Sequence, residues 1–200
     1  MKFKPLTVIA LSLLFAPGVF AQRRSESIRS IDFKNFTYAL PADLRTPGGR
    51  RFFTLRGGRY PGTGNEDEMY FARVVYGDVT GDGAEEAMIY LGIQTRGSAM
   101  PGVAYVYTMQ GRRPRLLWSF STGDRAGGGL HKIYAEGGEL VAELYGPQEK
   151  WEGDGQLMRF TRRRYVWRGQ RFRQRGRKEV IPLPAQSNIG MNRTRNKRPS

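Results

Sequence analysis

The order of apolar and polar residues along this chain follows a period of two far more often than a helical one. Residues 31–40 set Ile31 and Phe33, then Phe36, Tyr38 and Leu40, against polar neighbours, as a half-buried strand does. Further strand-like runs lie at 51–56, 68–76, 86–93, 103–109, 116–120, 130–135, 140–145, 159–167 and 171–175. Turn chemistry separates them. Residues 41–50 are turn-rich, a Gly/Pro loop runs from 57 to 65, and residues 110–115 join two runs. Glu136-Gly137-Gly138-Glu139 and Arg168-Gly169-Gln170 are tight hairpin signals, because glycine adopts positive φ without a steric penalty. The pattern predicts an all-β protein: antiparallel sheets of about ten short strands joined by hairpins, arranged as a sandwich, a barrel or a small propeller-like stack.

The ends read differently. Lys2 and Lys4 precede an apolar run over 6–16, Pro17 and Gly18 break it, and Val19-Phe20-Ala21 fits a cleavage site. The run is about eleven residues, against the roughly twenty a spanning helix needs, so residues 1–21 are expected to be a signal peptide rather than an anchor. No later stretch is apolar enough to span. Residues 22–30 read as a polar lead-in, 31–183 as one β-rich domain, and 184–200 as a basic disordered tail. The expectation is an exported, monomeric protein, periplasmic or extracellular, with no transmembrane span in the mature chain.

Composition narrows the chemistry. The 200 residues contain no Cys and one His, which excludes disulfides, thiolate metal clusters, thiol catalysis and His-rich metal sites. The formal net charge is +15, and it is unevenly placed. Residues 22–158 hold equal numbers of basic and acidic side chains, whereas 159–200 hold fourteen basic residues against Glu179 alone. A neutral body therefore carries a basic C-terminal module, a statement about partners and not about fold.

One loop carries the most specific signal: Gly77-Asp78-Val79-Thr80-Gly81-Asp82-Gly83-Ala84-Glu85-Glu86. Counting Asp78 as position 1, side-chain oxygens fall at Asp78, Thr80, Asp82 and Glu86, the carbonyl of Ala84 is at position 7, and Gly83 permits a sharp turn. Hard cations such as Ca²⁺ take six to eight oxygens at about 2.3–2.6 Å, which alternate residues of a tight loop can supply. These five residues are the candidate metal ligands. The same residues also suit an acidic β-turn in which Asp side chains cap backbone groups. An EF-hand is excluded, because Ile89 stands where its bidentate Glu would be and the flanks are strands. The D-x-x-x-D-G-x-x-E stretch of residues 76–91, running into the apolar strand 87–91, resembles the calcium loops of FG-GAP/VCBS-type repeats in integrin-α-like propellers, with Thr80 and Glu86 departing from the usual residues. With residues 105–125 and the 165–174 hairpin, it also resembles a group of small secreted bacterial proteins of no assigned function. The resemblance implies export and one structural Ca²⁺, and no activity.

The basic hairpin is the second candidate. Alternation places Arg171, Arg173, Arg175 and Arg177 on one face of their strand, and Arg162, Arg164 and Arg168 on one face of its partner. Such a row suits an anionic polysaccharide or another envelope polyanion. It equally suits a solvated face that deters edge-to-edge pairing. No specific nucleic-acid partner is expected. Three weaker signals remain: the Gly-rich stretch 122–129, which lacks the Lys-Ser/Thr of a phosphate loop; His131 beside Lys132; and Glu149, Glu152 and Asp154 around Trp151, an acid/base set for an envelope polysaccharide hydrolase. No catalytic constellation emerges. The expected role is a binding or structural β-domain, not an enzyme.

Overall fold

The computed structural model describes residues 26–41, 51–62, 67–95, 97, 101–123, 129–145 and 159–182. The expected signal peptide, the basic tail and the acidic stretch around Trp151 lie outside the described residues. Eleven strands form three antiparallel sheets, none of them closed. β1 (Thr37–Ala39) and β2 (Phe52–Thr54) make a short ribbon. β3 (Arg59–Tyr60), β4 (Glu68–Gly77), β5 (Glu86–Gln94), β6 (Gly102–Gln110) and β7 (Arg113–Gly123) follow one another across a five-stranded sheet. β8 (Leu130–Glu136), β9 (Glu139–Tyr145), β10 (Arg159–Trp167) and β11 (Phe172–Pro182) do the same in a four-stranded sheet. The all-β reading holds. Of the three arrangements considered, stacked open sheets fit and a barrel does not, since closure is absent. No helix among the described residues is long and apolar enough to cross a membrane.

The layers follow from strands that are apolar on both faces. In β5, Ala87, Ile89, Leu91 and Ile93 point to one side and Met88 and Tyr90 to the other; in β6, Val103, Tyr105 and Tyr107 oppose Ala104 and Val106. The first face packs beneath the β1–β2 ribbon and the N-terminal segment, with Ile28, Phe33, Tyr38, Phe53 and Leu55. The second packs on the four-stranded sheet through Leu130, Ile133 and Leu140, with Trp118, Tyr165 and Phe172 at its margin. The five-stranded sheet is thus the middle layer.

Local chemistry explains two departures from the alternation. Residues 31–36 are not a strand. Asp32 accepts hydrogen bonds from the Lys34 amide at 3.0 Å and the Asn35 side chain at 2.7 Å, so the chain turns there and only Thr37–Ala39 is extended. Residues 26–30 also pack on the domain: Ile28 lies in a single 3₁₀ turn, Ile28–Ser30, capped by Ser27, and is 2% exposed. In β4, a bulge between Phe71 and Arg73 shifts the phase, so that Met69 and Phe71, then Val74 and Tyr76, all reach the same core.

At Gly77 the two large sheets come close together. A Cβ there would stand 2.6 Å from the Ala135 methyl on β8, which has no rotamer to retreat into. Gly77→Ala should therefore destabilise the protein by about 1–3 kcal/mol, as overpacking does. A thermal or urea melt measures this, and an unchanged midpoint would contradict the packing described.

Candidate functional site

The acidic loop spans residues 78–85 between β4 and β5, and it is held from below. Val79 is fully buried in the core between the two large sheets. Its amide donates to Glu86 Oε2 at 3.0 Å, and the Thr108 hydroxyl donates to Glu86 Oε1 at 2.9 Å. Asp78 organises the rest. Its Oδ1 accepts from the amides of Thr80 (3.1 Å) and Gly81 (2.6 Å), and its Oδ2 from that of Gly83 (2.9 Å). Asp82 Oδ1 accepts from the Ala84 amide at 2.9 Å. These bonds wind the chain so tightly that Gly81 and Gly83 adopt φ of 78° and 85°. Gly81 meets Gly138 of the β8–β9 turn, whose Cβ, were there one, would lie 3.1 Å from Gly81 Cα. The loop therefore sits where the two large sheets join.

Of the five expected ligands, four lie on the outer part of this loop: Asp78, Thr80, Asp82 and Ala84. Asp82 and Ala84 are exposed, and Thr80 Oγ1 is buried without a hydrogen-bond partner. Glu86 departs from them. It is fully buried, with both oxygens engaged inside, and burial raises its carboxyl pKa above the ordinary value, with Asp82 and Asp78 adding repulsion. Among the described residues no three carboxylate or imidazole side chains converge on one point.

The basic hairpin is largely answered from within the molecule. Arg162 donates from Nε (2.9 Å) and Nη2 (2.8 Å) to Glu143 Oε1, and its Nη1 lies 3.6 Å from Glu179. Arg164 pairs with Glu136 at 2.5 Å, and Arg175 with Glu139. Antiparallel register makes the Arg162 pairs, setting it opposite Glu143 across β9–β10 and opposite Glu179 across β10–β11, whereas Arg164 and Arg175 reach across β9 and β10, respectively, to theirs. Sequence reading treated the arginines as a free row because their partners lie about twenty to forty positions away; the signal was Glu136, Glu139 and Glu143 spaced along a neighbouring hairpin. Arg168, Arg171, Arg173 and Arg177 make no ion pair within the described residues. Arg177 also lies in an irregularity of the β10–β11 pairing beside Gly176, which has a φ of 67°, so the expected four-arginine row on β11 is interrupted.

His131 is brought into the same outer face by a bulge between Leu130 and Lys132. Its Nδ1 is 3.0 Å from the Tyr145 hydroxyl, its ring stacks on Phe160 at 4.8 Å, and its Nε2 is 3.8 Å from Glu143 Oε2. Glu143 is 2% exposed and also accepts from the Tyr134 hydroxyl at 3.1 Å. Arg73 reaches across from β4 to the His131 carbonyl at 3.0 Å. This arrangement braces the sheet junction and holds Nδ1 on the Tyr145 hydroxyl. The Gly-rich 122–129 stretch enters β8 and not a helix; its residues 124–128 lie outside the described residues.

The fold and loop together define a layered antiparallel β-domain with an acidic loop at its sheet junction. No protein-family model matches the chain, and no curated protein or solved structure matches it.

Burial lowers the pKa of His131 below its ordinary value of 6.5, with Lys132 and Arg73 acting in the same direction and outweighing Glu143. A depressed imidazole pKa means that its contribution to stability is complete above about pH 6.5 and is lost as pH falls through the lower folded value. The chain has a single His, so one imidazole resonance reports the site. It should titrate below 6.5, and unfolding free energy should decline over the same window in wild type but not in His131→Gln. A midpoint above 6.5 would show that the Glu143 attraction dominates.

Proposed function

We propose that this protein is an exported, non-catalytic binding or structural β-domain, and that its 78–86 loop takes one Ca²⁺ that staples the two large sheets together. Asp78, Thr80, Asp82 and the carbonyl of Ala84 would hold the ion; Glu86 serves as the buried brace that fixes Val79 and Thr108 behind them. The observation that carries this reading is the Thr80 hydroxyl, buried without a partner between two aspartates in a loop already wound by its own amides. A buried polar atom left unpaired is unfavourable, and a cation with its water shell satisfies it. Like-charge repulsion supports the same reading, since Asp78 and Asp82 both raise the proton affinity of Glu86, and a cation would relieve it. The ion would contribute stability and rigidity at the junction, not chemistry.

Thermal melts of the mature protein in chelator and in millimolar Ca²⁺ test this. For a site with Kd of about 10⁻⁴ M, millimolar ion adds about 1.4 kcal/mol. The midpoint should rise by about 2–8 °C in wild type and stay fixed in Asp82→Ala. A wild-type midpoint that ignores Ca²⁺ would reduce the loop to a self-capped turn.

A further inference from the structure

A concave site separate from the acidic loop lies on the β1–β2 side of the molecule. It is an open groove of about 360 Å³ lined by Phe52, Phe53, Tyr60 and Pro61 together with Arg56 and Arg59. This is within the range of small-ligand sites, which are mostly apolar with a few fixed polar groups. The walls differ in what they are for. Phe53 is a core residue, stacked on Tyr38 at 5.6 Å and against Tyr60 at 5.8 Å, so the floor is anchored. Phe52, its neighbour on the strand, is 62% exposed, the most exposed large apolar side chain among the described residues.

The two arginines are held side by side. Arg56-Gly57-Gly58-Arg59 is a tight turn with φ of 56° and 81° at the glycines, and Arg56 and Arg59 exchange both backbone hydrogen bonds, at 2.9 and 3.2 Å. Residues opposed in this way sit about 5.5 Å apart, and like charges there repel. The turn is bolted down on three sides: Gly57 donates to Asn35 Oδ1 at 2.7 Å, Gly58 donates to the Lys34 carbonyl at 2.8 Å, and Phe71 donates to the Gly58 carbonyl at 2.8 Å. Five arginines of this molecule pair with carboxylates, as Arg29–Glu85, Arg112–Glu26, Arg162–Glu143, Arg164–Glu136 and Arg175–Glu139. Arg56 and Arg59 are among the arginines with no acidic partner in the described residues, and they are set apart by lining one groove on a backbone turn that is itself hydrogen-bonded in place.

We propose that this groove binds an acidic sugar unit, a uronate or similarly charged residue of a polysaccharide, with Arg56 and Arg59 gripping its carboxylate and the Phe52 ring packing against its C–H face. Paired guanidiniums suit a planar oxyanion. An aromatic face carries partial negative charge and so suits the weakly positive C–H groups of a sugar ring. A nucleic-acid strand would need a row of cations tracking successive phosphates, whereas two arginines line this groove. An anionic membrane would need a protruding surface, and this one is concave. The assignment is independent of the acidic loop and its ion.

The experiment is calorimetric titration of the full mature chain with oligogalacturonate and with its methyl ester, which keeps the rings and loses the charge. Wild type should bind the acid at least tenfold more tightly than the ester. Arg56→Gln/Arg59→Gln should abolish that preference, Phe52→Ala should weaken both ligands, and Arg171→Gln/Arg173→Gln should change neither. All the substituted side chains are exposed, so far-UV circular dichroism and the thermal midpoint should stay at the wild-type values. Failure of wild type to bind the acid, equal binding of acid and ester, or undiminished binding in the Arg56/Arg59 variant would overturn the assignment. So would tighter binding of a single-stranded DNA oligomer or of anionic vesicles through the same residues.

Discussion

Everything in this molecule depends on a middle sheet that has no solvent face. β5 and β6 are buried on both sides, so neither could exist as part of a two-layer protein without exposing a full row of Val, Ile, Met and Tyr side chains. The remaining elements are the means of covering them. The four-stranded sheet shields one side, and the N-terminal turn and the β1–β2 ribbon shield the other. The second cover is small but dense in aromatic rings: Phe33, Phe36 and Tyr38 pack edge-on or tilted against Tyr105 and Tyr107, and Phe53 stacks behind Tyr38. The polar ends of these tyrosines are satisfied where they emerge, Tyr38 donating to the Phe33 carbonyl at 2.7 Å and Tyr105 to that of Ala39 at 2.9 Å. Burying a hydroxyl without such an acceptor would forfeit much of what the ring contributes.

How much of this was legible in the sequence depends on range. Glu136-Gly137-Gly138-Glu139 and Arg168-Gly169-Gln170 announced their hairpins because a tight turn is decided by its own residues. The continuous run Ala87-Met88-Ile89-Tyr90-Leu91 marked a strand, and in retrospect its lack of alternation marked burial on both faces. Ile28 could not be placed, since one apolar residue among Arg and Ser gives no period; only the sheet it docks on shows why it matters. Phe33 misled in the opposite sense, its alternation with Ile31 arising from a turn set by Asp32. The acidic loop was found where expected, yet the inward direction of Glu86 was not readable, because it depends on Thr108 from another strand. The ion pairs of the basic hairpin were invisible for the same reason.

Charge in this protein is arranged by register rather than by composition. The basic excess after residue 158 suggested a surface waiting for an anion, whereas the folded sheet lays Arg162, Arg164 and Arg175 across Glu143, Glu136 and Glu139. Surface ion pairs of this kind add little individually. Their collective effect is on specificity, since they neutralise a face that would otherwise attract any polyanion. Arg159 and Arg163 on β10, Arg168 and Arg171 at the β10–β11 turn, and Arg173 and Arg177 on β11 make no ion pair among the described residues, and neither do Arg56 and Arg59.

The N-terminal cover has a consequence for the order of folding. Residues 26–41 and 51–55 make their contacts with residues far along the chain: Arg29 meets Glu85, Glu26 meets Arg112, and Ala39 receives the Tyr105 hydroxyl. The two large sheets are meanders, built from neighbours in sequence, and can assemble as each hairpin is completed. The N-terminal segment packs on the middle sheet and so can reach its place only after β6 has paired, whereas each meander can pair without it. It is also the natural first piece to detach, so that a partially open state of this protein would lose its aromatic lid while both meanders remain paired.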